Sequence, residues 1–249
     1  MSTFSRLLTT ATSLLALVLV WYVAARLIAS PLLPGPGAVL EAMGRAAEGG
    51  ALQRNIAITL ARVAASFFIA MLVGSAVGIL LGRAPRLNDL FGPWVVVLLN
   101  LPALVIIILC YVWFGLTEAA AITAVSINKI PNVAVTMREG AAALSRDLDE
   151  MARVYRFGRW KTLRHVTLPQ LVPFFAASAR SGLALTWKIV LVVELLGRSN
   201  GVGFELQTAF QMFDVALVLA YALAFTVVVQ AIEIGIMQPW ERWAGGWRR

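Results

Sequence analysis

Four charged side chains fall inside long apolar runs of this 249-residue chain: Lys129, Arg180, Lys188 and Glu194. A charge held away from water costs a few kcal/mol at mid-bilayer on insertion scales, so such groups face a partner or a wet cavity. Arg180 and Lys188 are eight residues apart, which is roughly 80° around a helix, so both can look inward. Glu194 points elsewhere. It either pairs with Lys129 or with a neighbouring subunit, or it stands in a transport pathway with the three cations. Arg26 and Glu233 lie near the ends of their runs and are expected to snorkel. Three cations against one carboxylate would draw a small anion. Asn100 with Pro102, and Asn128 and Asn132 with Pro131, add hydrogen-bonding groups where broken helices tend to mark sites.

Covalent chemistry is not encoded in the same way. No G-x-x-x-x-G-K-[S/T] loop is present, and Gly158–Thr162 (GRWKT) lacks the glycines that let backbone N–H groups wrap phosphates. The single histidine, His165, sits in a basic loop, and the single cysteine, Cys110, sits in an apolar run. Neither can form a triad, a metal cluster or an internal disulfide with its own kind. An intramembrane enzyme would need a paired nucleophile and base, or metal ligands, and none is found. The expectation is a chain that is not an enzyme, holds no metal and binds no cofactor itself.

The elements that must carry these residues are membrane spans. Hydrophobic residues make up 60% of the chain and charged ones 14%, with a mean hydropathy of +0.81. Apolar runs long enough to cross a bilayer recur along it. Six spans are expected: Leu7 to Ile28, Ile56 to Leu81, Trp94 to Phe114, Ala119 to Val135, Leu171 to Leu196 and Val215 to Met237. The first is too long for the core of a cleaved signal. The fourth is the shortest and is expected to tilt or break. With the N-terminus inside, thirteen of the 21 Lys and Arg residues fall on the inner side (Arg6, Arg83, Arg86, seven between Arg138 and Arg164, Arg242, Arg248, Arg249). Only Arg45, Arg54 and Arg198 fall outside, so both termini are expected to be cytoplasmic. The net charge of +8 then reflects membrane orientation, and no nucleic-acid partner is implied. The whole of 1–249 is one all-α polytopic domain, its cytoplasmic loop covering about 138–170.

That loop is strongly basic. Asp147 and Glu150 have the spacing of a capping box, Leu148, Met151, Ala152 and Tyr155 follow at helical intervals, and Gly158 supplies a stop. A second short helix, with Trp160, Leu163 and Thr167 on one face, is expected to end at Pro169. Two short helices outside a membrane make a docking knob. The segment resembles the EAA motif, the cytoplasmic coupling loop of permease subunits of ATP-binding-cassette (ABC) importers, which runs E-A-A, three residues, G, nine residues, I, one residue, L-P. Glu150 and Ala152 take the first and third positions, Met151 replaces the middle alanine, and Val166, Leu168 and Pro169 stand where I-x-L-P falls. Arg156 occupies the glycine position, with Gly158 two residues on.

Other short motifs resemble one subgroup, the nitrate, sulfonate and taurine importers, in the same order along the chain. They are Leu33-Pro34-x-Pro36 after the first span, Asn55–Arg62 at the start of the second, Trp113-Phe114-Gly115 after the third, and Trp187, Glu194, Gly201 and Gly203 in and after the fifth. Between the first two spans, Val39, Leu40, Met43 and Ala47 predict an amphipathic helix on the outer surface. In the second, Gly74, Gly78 and Gly82 present a small-residue face for close packing, within the subunit or against a twin.

The resemblance implies a six-helix type I importer permease in the bacterial inner membrane. It also implies a homodimer working with ATPase subunits that use ATP and with an extracytoplasmic binding protein, by alternating access. On that reading Glu150, Ala152, Tyr155, Arg156, Gly158, Leu168 and Pro169 couple to the ATPase. A self-contained ion-coupled carrier is the alternative, and the absence of a repeat between the first and last three spans speaks against it.

Overall fold

The computed structural model describes residues 3–240, and every regular element among them is helical. In chain order these are α1 (Thr3–Ile28), α2 (Pro36–Glu48), α3 (Ala51–Arg83), α4 (Pro85–Asn100), α5 (Ala103–Phe114), α6 (Glu118–Ala142), α7 (Arg146–Val154), α8 (Arg159–Thr162), α9 (Leu168–Gly197), α10 (Val202–Gln211) and α11 (Val215–Ile232). Wide π-helical turns join α8 to α9 at Leu163–Thr167 and extend α11 at Glu233–Met237. Helices satisfy every backbone group within the segment, which hydrocarbon requires.

By length and composition three helices can cross a membrane: α1, α3 and α11 with its continuation to Trp240. A fourth crossing appears if α4 and α5 are taken together. The expected count of six is therefore not reached on that measure, because the polar residues of α6 and α9 lower their apolar content. The third span is also not one helix. It starts at Pro85 rather than Trp94, and α4 and α5 meet at a 96° bend. Pro102 has no N–H to continue the ladder, and it holds Leu101 extended (φ −68°, ψ 131°).

The fourth span departs the other way. It is a continuous 25-residue helix through Pro131, neither short nor broken, because it is gripped on two sides. On α3, a Cβ at Gly74 would lie 2.6 Å from the Val133 Cβ and one at Gly82 2.5 Å from the Arg138 carbonyl, while one at Gly78 would overlap the Ala134 carbonyl. The glycine face thus packs within the subunit. On the far side Gly140 receives Phe174 of α9. The core lies among α3, α5, α6 and α9, with Ile107, Val125, Val133 and Val190 fully enclosed. Trp187 meets Phe225 of α11 edge-on at 6.0 Å.

Helix α2 forms as expected, with Val39 and Ala42 buried against Ala220 and Met43 packed beside them, Ala47 half-buried, and Leu40 of the predicted stripe turned away at 65% exposure. Helix α1 is exposed along most of its length; the Trp21 indole donates to the Pro34 carbonyl at 3.0 Å. Helix α10 was not expected at all. Arg242, Arg248 and Arg249 of the charge argument lie outside the described residues.

The α3–α6 contact generates a paired prediction. Gly78→Ala should destabilise the purified protein by about 1–3 kcal/mol through overpacking. Gly44→Ala in α2, where nothing lies within 4 Å of the new Cβ, should be neutral or gain up to about 1 kcal/mol. Thermal melts in detergent read both, and equal melting temperatures would contradict the close approach.

Candidate functional site

The basic loop is the knob that its sequence predicts, with different details. Ser145, not the Asp147 and Glu150 pair, caps α7: its Oγ accepts from the Leu148 N–H at 3.4 Å. Ser145 wins because it stands in extended conformation (φ −66°, ψ 122°) at the true start, leaving Asp147 and Asp149 in the first turn, where the helix dipole favours them. Ser145 N–H donates to Gln170 Oε1 at 2.9 Å, which ties the knob to α9. Of the predicted stripe only Ala152 is buried. Leu148 and Met151 are exposed, as are Val154, Tyr155 and Trp160 at 78%, 71% and 72%. Glu150 is exposed beside them.

Arg156 makes the turn. Its φ is +51°, the left-handed region, and two bonds close a Schellman motif: Phe157 N–H to the Ala152 carbonyl at 2.8 Å and Arg156 N–H to the Arg153 carbonyl at 3.0 Å. Gly158, expected to stop the helix, instead caps α8 at φ −65°, ψ 158°, which any residue can adopt. Pro169 likewise ends nothing. It sits in the first turn of α9, just after the π turn in which Leu168 N–H reaches the Leu163 carbonyl. Its missing N–H therefore falls at a change of hydrogen-bond spacing, and the chain runs on as one helix. Leu168 is 45% exposed. His165 is exposed, with Nδ1 3.2 Å from the Lys161 carbonyl.

At the opposite ends of α3 and α9 lies a charged cluster that the sequence only partly disclosed. Arg62, 4% exposed, places Nη1 2.7 Å from Glu194 Oε1 and Nε 2.8 Å from Glu118 Oε2. Its Nη1 also donates to the Asn200 carbonyl at 2.8 Å, and Nη2 to Asn200 Oδ1. Arg198 Nη2 reaches Glu118 at 2.6 Å. Glu194 is fully enclosed and accepts from Thr59 Oγ1 at 2.9 Å and from the Gly203 N–H at 2.8 Å. The first turn of α10 is thus laid directly on a carboxylate, the charge its dipole favours. Asn55 completes the cluster, accepting from the Gly201 N–H and donating to Glu205, each at 2.8 Å.

Two glycines make that approach possible. Gly201 stands at φ +104°, and a Cβ there would lie 2.5 Å from the Glu194 carboxyl; one at Gly203 would lie 2.7 Å from the Glu194 Cβ. Glu194 therefore pairs with neither Lys129 nor a second subunit. Sequence reasoning missed Arg62 and Glu118 as its companions; an arginine within a span and a glutamate at a span's edge were the available signals.

The remaining candidates do not converge. Lys129 is 2% exposed, and its Cε lies 3.3 Å from where a Gly182 Cβ would stand. Arg180 and Lys188 are both exposed on α9, so neither looks into the subunit. Arg180 Nε lies 3.4 Å from Glu233 Oε1, which gives Glu233 a partner where snorkelling was expected. Arg26 stacks over Tyr22 at 5.3 Å. Asn100 is exposed at the end of α4, donating to the Val96 carbonyl at 2.8 Å, and Asn128 is half-buried on α6.

The turn at Arg156 yields a direct test. Arg156→Gly should stabilise the knob by up to about 1–2 kcal/mol, the penalty a side chain pays in the left-handed region. The gain would appear as slower hydrogen exchange at Phe157, and exchange that quickens would contradict the turn.

Comparison with known proteins identifies the family. The family described as binding-protein-dependent transport system inner membrane component matches residues 70–235, well over half of the chain. The taurine transport system permease protein TauC of Escherichia coli is 28% identical over 241 residues, covering 92% of this chain and 88% of that one. The bicarbonate transport system permease protein CmpB of Synechococcus elongatus is 28% identical over 186 residues, 73% of this chain and 66% of that one. An inward-facing structure of the MetNI methionine ABC transporter superposes with a TM-score of 0.67 at 19% identity, over 79% of this chain and 97% of that one, and shows a shared fold. The chain therefore belongs to the binding-protein-dependent transport system inner membrane components, as an ABC transporter permease component and not an enzyme.

Proposed function

We propose that two copies of this chain form the translocation pathway of an importer for a small anion of the sulfonate, nitrate, taurine or bicarbonate kind. ATPase subunits drive it, and an extracytoplasmic binding protein delivers the solute. Each copy crosses the membrane six times, through α1, α3, the bent α4–α5 pair, α6, α9 and α11, with both termini in the cytoplasm. The ATPase dimer pushes on α7 and α8, and the rigid connection to α6 and α9 converts that displacement into alternating access.

One observation carries this reading. The knob is fastened to α9 by Ser145 and Gln170, while Val154, Tyr155 and Trp160 stay exposed. Rigid attachment behind and apolar side chains in front are what a docking surface for another protein requires. The anionic preference is supported by Arg180 and Lys188, which stay exposed on a 30-residue helix where lipid would be a costly neighbour. A passage between two copies, flanked by Asn100 and Asn128, gives them water. Glu194 and Lys129, both enclosed, are left to structural roles.

The test is a pull-down from detergent with a candidate ATPase subunit, followed by uptake into vesicles. Glu150→Ala with Leu168→Ala should lose the ATPase while the membrane protein stays folded. Lys188→Gln should keep it and reduce anion uptake about tenfold, a loss of roughly 1.4 kcal/mol. Solute movement by the purified chain alone, driven by an ion gradient, would replace this reading with a secondary carrier.

A further inference from the structure

Behind the knob, on the side facing the ends of the long helices, lies a recess of about 730 Å³. Its walls include Arg83, Arg153, Arg159, Asp149, Leu163 and Thr167. Three guanidinium groups face one carboxylate. Asp149 Oδ2 is 3.2 Å from Arg83 Nη2, and among the described residues Arg153 and Arg159 have no ion pair. Thr167 is 1% exposed, and its hydroxyl has no hydrogen-bond partner. A buried hydroxyl left unpaired costs about 1–3 kcal/mol, and this one belongs to the wall of a cavity lined with positive charge.

We propose that this recess is a phosphate-binding site: it takes a phosphate ester through Arg153 and Arg159, with the Thr167 hydroxyl donating to one phosphate oxygen. Guanidinium groups bind such oxyanions through paired, charge-assisted hydrogen bonds. The volume exceeds what a bare phosphate fills and accommodates a glycerophosphate unit. Position favours a lipid as the source. Arg83 is the last residue of α3 and Thr167 directly precedes α9, so on the proposed six-span reading the recess sits where long helices leave the bilayer, the level at which basic pockets meet anionic headgroups. Leu163, 38% exposed, offers an apolar edge to the glycerol end. A seated headgroup would brace the knob against the membrane, independently of what the permease carries.

Native mass spectrometry of the full chain in phosphatidylcholine nanodiscs, titrated with phosphatidylglycerol, tests this directly. The wild type should retain phosphatidylglycerol in preference to phosphatidylcholine. R153Q with R159Q, two exposed positions whose change leaves the fold intact, should lower that retention about tenfold. Thr167→Val, which keeps the volume, should lower it as well, and Arg86→Gln, outside the recess, should not. Glycerol 3-phosphate serves as the soluble arm: competition by it assigns the site to free phosphate esters, and failure to compete assigns it to the lipid. Equal retention by the wild type and both recess variants would overturn the proposal. So would displacement of the lipid by a docked ATPase subunit, since the arginines would then belong to that partner's carboxylates.

Discussion

The ion pair between Arg62 and Glu194 is the constraint on which the half of the molecule opposite the knob depends. Neither side chain reaches water to any extent, at 4% and 0% exposure, so each carries a desolvation cost that only the other and their hydrogen-bonding neighbours offset. Glu118 and Arg198 complete a cluster of two cations and two carboxylates, which leaves no net charge buried. Those groups come from α3, α6, α9 and the turn before α10. Satisfying the charges therefore fixes four pieces of chain relative to one another.

Other features follow from that requirement. Arg62 can reach Glu118 only because α3 and α6 run close together, through Ser66 and Ser126 beside it and through the glycines at 74, 78 and 82 toward the other end of the contact. The α10 backbone can lie on Glu194 only because residues 201 and 203 have no side chain. Helix α9 then carries the arrangement from Glu194 to Leu168 without interruption, and the π turn at Leu163–Thr167 joins it to the knob. Two polar ends are thus linked by one continuous helix. The apolar core between them supplies stability, and the ends supply position.

The sequence disclosed this unevenly, for physical reasons. The glycine face of α3 was legible because four-residue spacing is a property of one helix. The knob was legible because amphipathic pattern and motif spacing are local too. What failed was whatever depended on distant neighbours. Glu194 was marked as unusual, but its partner lies 132 positions away in the chain, and helical phase gives a direction without saying which residue stands there. Arg156 could not be assigned a left-handed φ because arginine rarely adopts one; the fold forces it through the Schellman bonds. Helix α10, ten residues long, is too short for periodicity to separate it from a loop, and its start is set by a carboxylate on another helix. The break at Pro102 was visible as a bend, though not as a turn of 96°, since proline removes a bond without fixing where the chain then goes.

The central claim is that Arg62 and Glu194 act as one unit, and a double-mutant cycle tests it most directly. Arg62→Met, Glu194→Gln and the double variant would be compared by thermal or denaturant unfolding in detergent. Arg62→Met alone should cost about 3–5 kcal/mol by leaving a buried carboxylate without its cation. The double variant should recover part of that loss, with a coupling energy of roughly 0.5–3 kcal/mol. Simple additivity of the two single changes would contradict the account.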